Sequence, residues 1–157
     1  MTWERRGFPR AKNAYVRVSR RRRGTRRQTI SRAGRGKRTW RRTPMADALC
    51  LHIDANDPER LRLALKNARN YLLVVGEAPV TLLANGPAVR LFAAPHPELE
   101  AAAGELVDKG LRIELCQFAL NDNHLAKEQL WPCCHVVPAG MAALVAMQRE
   151  GYAYVKP

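Results

Sequence analysis

The basic residues of this chain are gathered at one end, and that placement decides which part can fold. Of 27 Lys+Arg, 17 fall in residues 1–44 beside a single acid, Glu4. Residues 45–157 hold the other 10 against 13 Asp+Glu, so the formal net charge of +13 describes neither part. The arm contains the run Arg20 to Arg23, glycines at positions 24, 34 and 36, and almost no apolar periodicity. Such a composition buries too little surface to offset its ordering entropy. Residues 1–44 are therefore expected to be a disordered arm. Residues 45–157 are left to form one mildly acidic domain, long enough to bury a core.

The arm leaves three roles open. Arg-rich segments bind RNA or DNA by neutralising phosphates and releasing counterions. Organelle transit peptides are also Arg-rich, although this segment has only Ser19 and Ser31 as serines and no amphipathic face. Alternatively, translation begins at Met45: Met45-Ala46-Asp47 reads as a natural start, Pro44 precedes it, and the first strand follows at once. Upstream codons of a GC-rich genome, read as protein, would yield Arg, Gly, Pro and Ala. The start at Met45 is the expectation, and intact mass from the native host should then begin at Met45 or Ala46. Nucleic acid is a partner only if residues 1–44 are translated.

No stretch approaches the roughly 20 apolar residues of a membrane span, and no apolar signal core stands near the N-terminus. The cysteines Cys50, Cys116, Cys133 and Cys134 are irregularly spaced and two are adjacent, unlike a disulfide framework. A reducing, cytoplasmic setting without membrane contact is the expectation.

Within the domain, strand and helix signals alternate. Ala48 to Ile53 is a short, mostly apolar run of the buried parallel-strand kind. Asp57 can cap a helix that opens on Pro58, and Leu61, Ala64, Leu65, Ala68 and Leu72 make its apolar stripe as far as Val75, before Gly76. Pro79 to Ala84 reads as a second strand, followed by the sharp loop Asn85-Gly86-Pro87 and the apolar segment Ala88 to Phe92. Leu99, Ala102, Ala103, Leu106 and Val107 form a second helical stripe closed by Gly110. In Leu111 to Cys116, three apolar residues alternate with charges and then meet a cysteine, after which Gln117 to Leu120 reads as a turn entering a short helix. Cys134 to Val137 is a fourth strand, Met141, Leu144 and Val145 begin a last helix, and Tyr152 to Val155 is a fifth strand. Such alternation with short connections specifies an α/β fold, a three-layer α/β/α sandwich around a mainly parallel sheet of about five strands. The loops Asn85–Pro87, Cys116–Leu120 and Pro138–Gly140 each follow a strand, so they should gather on one side.

Cys116 thus stands at the carboxyl end of a strand, the edge where open α/β sheets collect ligands. A sulfur there can lie near a helix N-terminus, whose unpaired N–H groups favour thiolate. Cys50, inside an apolar strand, reads as core. Cys133-Cys134-His135 invites a metal reading, but adjacent ligands close no tetrahedron and no second pair stands at zinc spacing. His52 reads as core or strand end and His96 as exposed. His124, soon after the Cys116 turn, is a candidate base for the thiol. Asn85-Gly86-Pro87 lacks the length and Gly-Lys content of a phosphate loop.

Several of these segments resemble one family. Asn67-Ala68-Arg69-Asn70, Ala84-Asn85-Gly86-Pro87-Ala88, Cys116, Val136 to Leu144 and Gln148 to Pro157 are similar, in order and spacing, to the DsrE/DsrF-like sulfur-relay proteins. The resemblance spans roughly residues 47–157 and none of the arm. It implies an α/β sandwich assembled as a homotrimer or homohexamer, with Cys116 carrying sulfane sulfur between donor and acceptor proteins. Asn85, Gly86, Pro87, Gln117 and His124 lie in the loops expected around that thiol. Phe118 and Ala119 depart from the polar Asn and Thr that usually follow the cysteine in the family. One thiol suffices for a persulfide carrier, so no organic cofactor or metal is expected. The competing reading is a non-catalytic oligomeric binding module in which Cys116 is inert. Ala88 to Phe92 and Tyr152 to Tyr154 are the apolar segments expected to face another subunit.

Overall fold

The computed structural model describes residues 47–157. The expectations for residues 1–44, and for a start at Met45, lie outside the described residues.

Five strands are parallel throughout: β1 (Leu49–Ile53), β2 (Val80–Ala84), β3 (Leu111–Cys116), β4 (Cys134–Val137) and β5 (Ala153–Val155), in the order β4-β3-β2-β1-β5. The helices are α1 (Pro58–Val75), α2 (Pro97–Val107), α3 (Gln117–Asp122) and α4 (Gly140–Arg149). This is the sandwich expected from the alternation of elements. Helix α1 starts where the Asp57 carboxylate accepts the Glu59 N–H at 3.0 Å, with Pro58 pre-set in the first turn. It ends at Gly76, whose φ of 80° few other residues adopt.

Strand order follows from right-handed crossovers. The β1-α1-β2 and β2-α2-β3 units step one way across the sheet and put α1 and α2 on one face. The β4-α4-β5 unit returns from one edge to the other and puts α4 on the opposite face. Two buried clusters record this. Leu51, Ile53, Leu82, Ile113 and Leu115 pack with Leu61 and Leu65 of α1 and with Leu99 and Leu106 of α2. Cys50 and Leu83, the alternate strand positions, pack with Leu144 and Met147 of α4.

The loop after β2 is better ordered than a sharp turn. Gly86–Phe92 forms a continuous 3₁₀ segment, and Ala88, Val89, Leu91 and Phe92 are buried. Trp131 packs edge-on against Phe92 at 5.1 Å and donates its backbone N–H to the Phe92 carbonyl. The apolar side chains of Ala88 to Phe92 therefore fill the chain's own core, and Arg90 is the exposed residue of the segment. The C-terminal end differs: Tyr154 and Val155 on edge strand β5 are each 42% exposed. No helix among the described residues is long and apolar enough to cross a membrane.

Candidate functional site

Three strand-to-helix connections meet at the carboxyl edge on the α4 side, as their positions after strands imply. Gly140, the first residue of α4, is where they touch. A Cβ built there would lie 3.0 Å from the Cys116 Cβ, 3.3 Å from the Asn85 Cβ and 3.3 Å from Leu83 Cδ2. Only a residue without a side chain lets α4 start this close to the ends of β2 and β3.

Cys116 ends β3 and stands immediately before α3, but its sulfur does not cap that helix. Instead the Gly140 backbone N–H donates to Cys116 Sγ at 3.1 Å. The first N–H groups of a helix have no partner within it, and they interact favourably with negative charge. Cys116 itself is only 7% exposed. The helix terminus expected near the sulfur is thus α4, which is 24 residues away in the chain rather than adjacent.

The other cysteines sit differently. All four are free thiols. Burial, aided by the Glu114 carboxylate, pushes the Cys50 thiol up to about 11. Burial also pushes Cys133 and Cys134 up, the latter further raised by its neighbour Cys133. These three are packing residues. No grouping of three His, Cys, Asp or Glu able to hold a metal occurs among the described residues.

Of the loop residues expected around the thiol, Asn85 is brought beside Cys116. Gly86 opens the 3₁₀ segment at φ 51°, and a Cβ there would press on the Asp54 carbonyl at 3.3 Å, so the loops after β1 and β2 also meet. Pro87 is exposed on that segment. The Gln117 amide is spent within α3, donating to Asn121 Oδ1 at 2.9 Å. His124 is exposed in the turn after α3, at φ 56°, and its ring makes no hydrogen bond among the described residues. His96 is half-buried before α2 rather than exposed.

His52 is bonded at both ring nitrogens, more than a core or strand-end residue requires. Its Nδ1 lies 2.7 Å from Tyr154 Oη and its Nε2 lies 3.0 Å from Asn85 Oδ1. Nearby, Lys156 Nζ is paired with Asp54 Oδ2 at 2.5 Å. The Lys156 hydrogen bond holds the Asp54 carboxyl below its usual range, with the charge of Lys156 adding to it. The alternation of β1 places His52 opposite Leu51 and Ile53, a weak signal for the α4 face. Nothing local pairs it with a residue 102 positions later. The groove between α1 and α2, about 590 Å³ of open space, lies on the other face of the sheet. Its Arg62, Lys66, Arg69 and Lys109 are interspersed with Glu98 and Glu105, as on a solvated helix surface.

A sequence model of the DsrE/DsrF-like family matches residues 51–157. The chain belongs to this family. Two solved structures share the fold of this DsrE/DsrF-like chain. MTH1491 from Methanobacterium thermoautotrophicum, a protein of unknown function, is 26% identical with a TM-score of 0.65, over 70% of this chain and 98% of its own. BT1422 from Bacteroides thetaiotaomicron, a conserved protein of unknown function, is 16% identical with a TM-score of 0.58, over 71% of this chain and 95% of its own. No curated protein matches the chain.

Proposed function

We propose that residues 45–157 form a sulfur-relay domain in which Cys116 takes up sulfane sulfur as a persulfide and passes it on. The observation that carries the reading is the Gly140 N–H on Cys116 Sγ, at 3.1 Å, in a chain of the DsrE/DsrF-like family. In uptake, the Cys116 thiolate attacks the outer sulfur of a donor persulfide. A new S–S bond forms on Sγ, the donor's own S–S bond breaks, and the donor leaves as a thiolate. In delivery an acceptor thiolate attacks the outer sulfur, and the bonding electron pair returns to Sγ, where the Gly140 N–H stabilises it. Thiol exchange of this kind needs no metal or organic cofactor.

The partners of this reading are sulfur-donor and sulfur-acceptor proteins in a reducing cytoplasm, and further copies of the chain in a trimer or hexamer. Exposed apolar side chains support such contacts: Phe118 and Met141 flank the thiol at 65% and 61% exposure, and Tyr154 and Val155 line the β5 edge. The burial of Cys116 favours a second reading, an oligomeric binding module with an inert thiol.

Incubation with a small persulfide donor, followed by intact mass measurement, separates the two. The expected result is a gain of one sulfur atom in the wild-type chain and none in Cys116→Ser. A gain that survives Cys116→Ser rules out this residue as the carrier, and no gain in either supports the binding module.

A further inference from the structure

Beside Cys116 runs a chain of hydrogen bonds that the relay reading leaves unused: Tyr154 Oη to His52 Nδ1, and His52 Nε2 to Asn85 Oδ1. An amide oxygen only accepts, so the Nε2 facing it carries a proton. In neutral His52 the Nδ1 is then an acceptor, and the Tyr154 hydroxyl donates to it. One tautomer satisfies all three residues. His52 is only 6% exposed, so the ring is held where it stands.

The consequence falls on Asn85. With Oδ1 engaged by His52, Nδ2 is turned toward the start of α4. Among the described residues it meets only Met141 Sδ, at 3.8 Å. A thioether is a weak acceptor, so this is an oriented donor without a strong partner. It also stands next to the thiol. Cys116 Cβ and Asn85 Cβ lie within 3.0 and 3.3 Å of one point, the missing Cβ of Gly140. The two residues of α4 that they touch, Gly140 and Met141, are consecutive.

We propose that the Asn85 amide holds the outer sulfur of a persulfide on Cys116, with His52 and Tyr154 as positioning residues that keep the amide turned. The inference rests on the persulfide reading above. After uptake the outer sulfur loses its proton to water and bears the negative charge. An N–H donated to a charged acceptor is stronger than one donated to a neutral acceptor. Gly140 then serves the inner sulfur and Asn85 the outer one. On delivery the outer sulfur takes a proton back from water and leaves with the attacking acceptor thiolate, while the electron pair of the broken S–S bond stays on Sγ beside the Gly140 N–H.

The test is the fraction of Cys116 loaded at equilibrium in a fixed mixture of glutathione persulfide and glutathione, read by mass spectrometry of the full chain and its Cys116 peptide. Asn85→Leu removes the donor at similar size and places no new charge beside the sulfur. Its loaded-to-free ratio is expected to fall about tenfold or more, the usual worth of a hydrogen bond to a charged group. Tyr154→Phe, at an exposed position, is expected to lower the ratio in the same direction by about two- to fivefold. Alkylation of unloaded Cys116 by iodoacetamide involves only the inner sulfur, and its rate should stay within about twofold in both variants. Asn85→Leu loading like wild type, or alkylation falling in step with loading, overturns the assignment. A wild-type chain that takes up no sulfur overturns the persulfide reading and this inference with it.

Discussion

Leu51 and His52 are neighbours in β1, yet Leu51 packs under α1 and α2 while His52, by strand alternation, shares the opposite face with Cys50. The same contrast runs across the sheet. The first face presents Leu49, Leu51, Ile53, Val80, Leu82, Leu111, Ile113 and Leu115, all apolar and buried. The second presents Cys50, His52, Thr81, Leu83, Arg112, Glu114 and Cys116, where Arg112 Nε is paired with Glu114 Oε1 at 2.7 Å. Helices of 18 and 11 residues close the first face, whereas a single ten-residue helix covers the second. A face closed by two helices tolerates only apolar side chains, because an unpaired polar group there would be stranded. A face with one helix leaves room for polar side chains that pair with each other. Stability and chemistry are thus carried by alternate residues of the same strands.

The largest effect that would break this contrast is on the apolar face. Ile113→Ala is expected to cost about 3–4 kcal/mol, through lost burial and the cavity left behind. Denaturant unfolding should show this, while the iodoacetamide rate of folded Cys116 stays as in wild type.

Next comes Cys50, the buried thiol of the second face. Its folded value near 11 stands above the 9.0 of a free thiol. Stability from burying it neutral is fully present below pH about 9 and is lost as pH rises through about 11, of the order of 2–3 kcal/mol. Stability measured from pH 8 to 11 should fall less steeply in Cys50→Ala. Cys133 and Cys134 are raised too and supply the slope that remains.

Gly140→Ala sharpens the comparison from the other side. Its Cβ would meet the backbone-anchored Cβ of Cys116 at 3.0 Å, so the start of α4 must move. A cost of about 2 kcal/mol is expected, as for overpacking elsewhere. Alkylation of Cys116 should slow several-fold as the N–H is carried off the sulfur. A rate equal to wild type would show that α4 does not influence the thiol.

The smallest effect belongs to the half-exposed pair of Lys156 and Asp54. Lys156→Ala should cost under about 1 kcal/mol, because solvent screens such pairs. Asp54 is lowered in the fold, so its contribution is present above pH about 4 and lost as pH falls through the lower folded value. The variant's deficit should therefore shrink in acid and in high salt.

Most elements of the domain were legible in the residues. Asp57-Pro58 marked the start of α1, Gly110 the entry to β3, and the stripes at Leu61 and Leu99 the helices of the apolar face. The short apolar run Ala88 to Phe92 was ambiguous, because core and interface segments have the same composition. Only its contact with Trp131, supplied by the loop returning before β4, shows that it turns inward. Cys116 was recognisable as a strand-end thiol. His124 follows Cys116 closely in the chain but makes no hydrogen bond to it among the described residues.

What the amino-acid sequence determined by itself is everything that depends on near neighbours. That covers the periodicities of 2 and 3.6, the caps, the separation of a basic arm from an acidic domain, and a cysteine at the end of a strand. What tertiary structure decided is which strand ends meet. The Gly140 to Cys116 bond spans 24 residues, His52 to Asn85 spans 33, and His52 to Tyr154 spans 102. Each depends on strand order, above all on the crossover by which β5 passes the whole sheet to pair with β1. Local propensity carries no information about that order. It is set by burying both faces at once with right-handed connections, and only then does a histidine from the first strand find a tyrosine from the last.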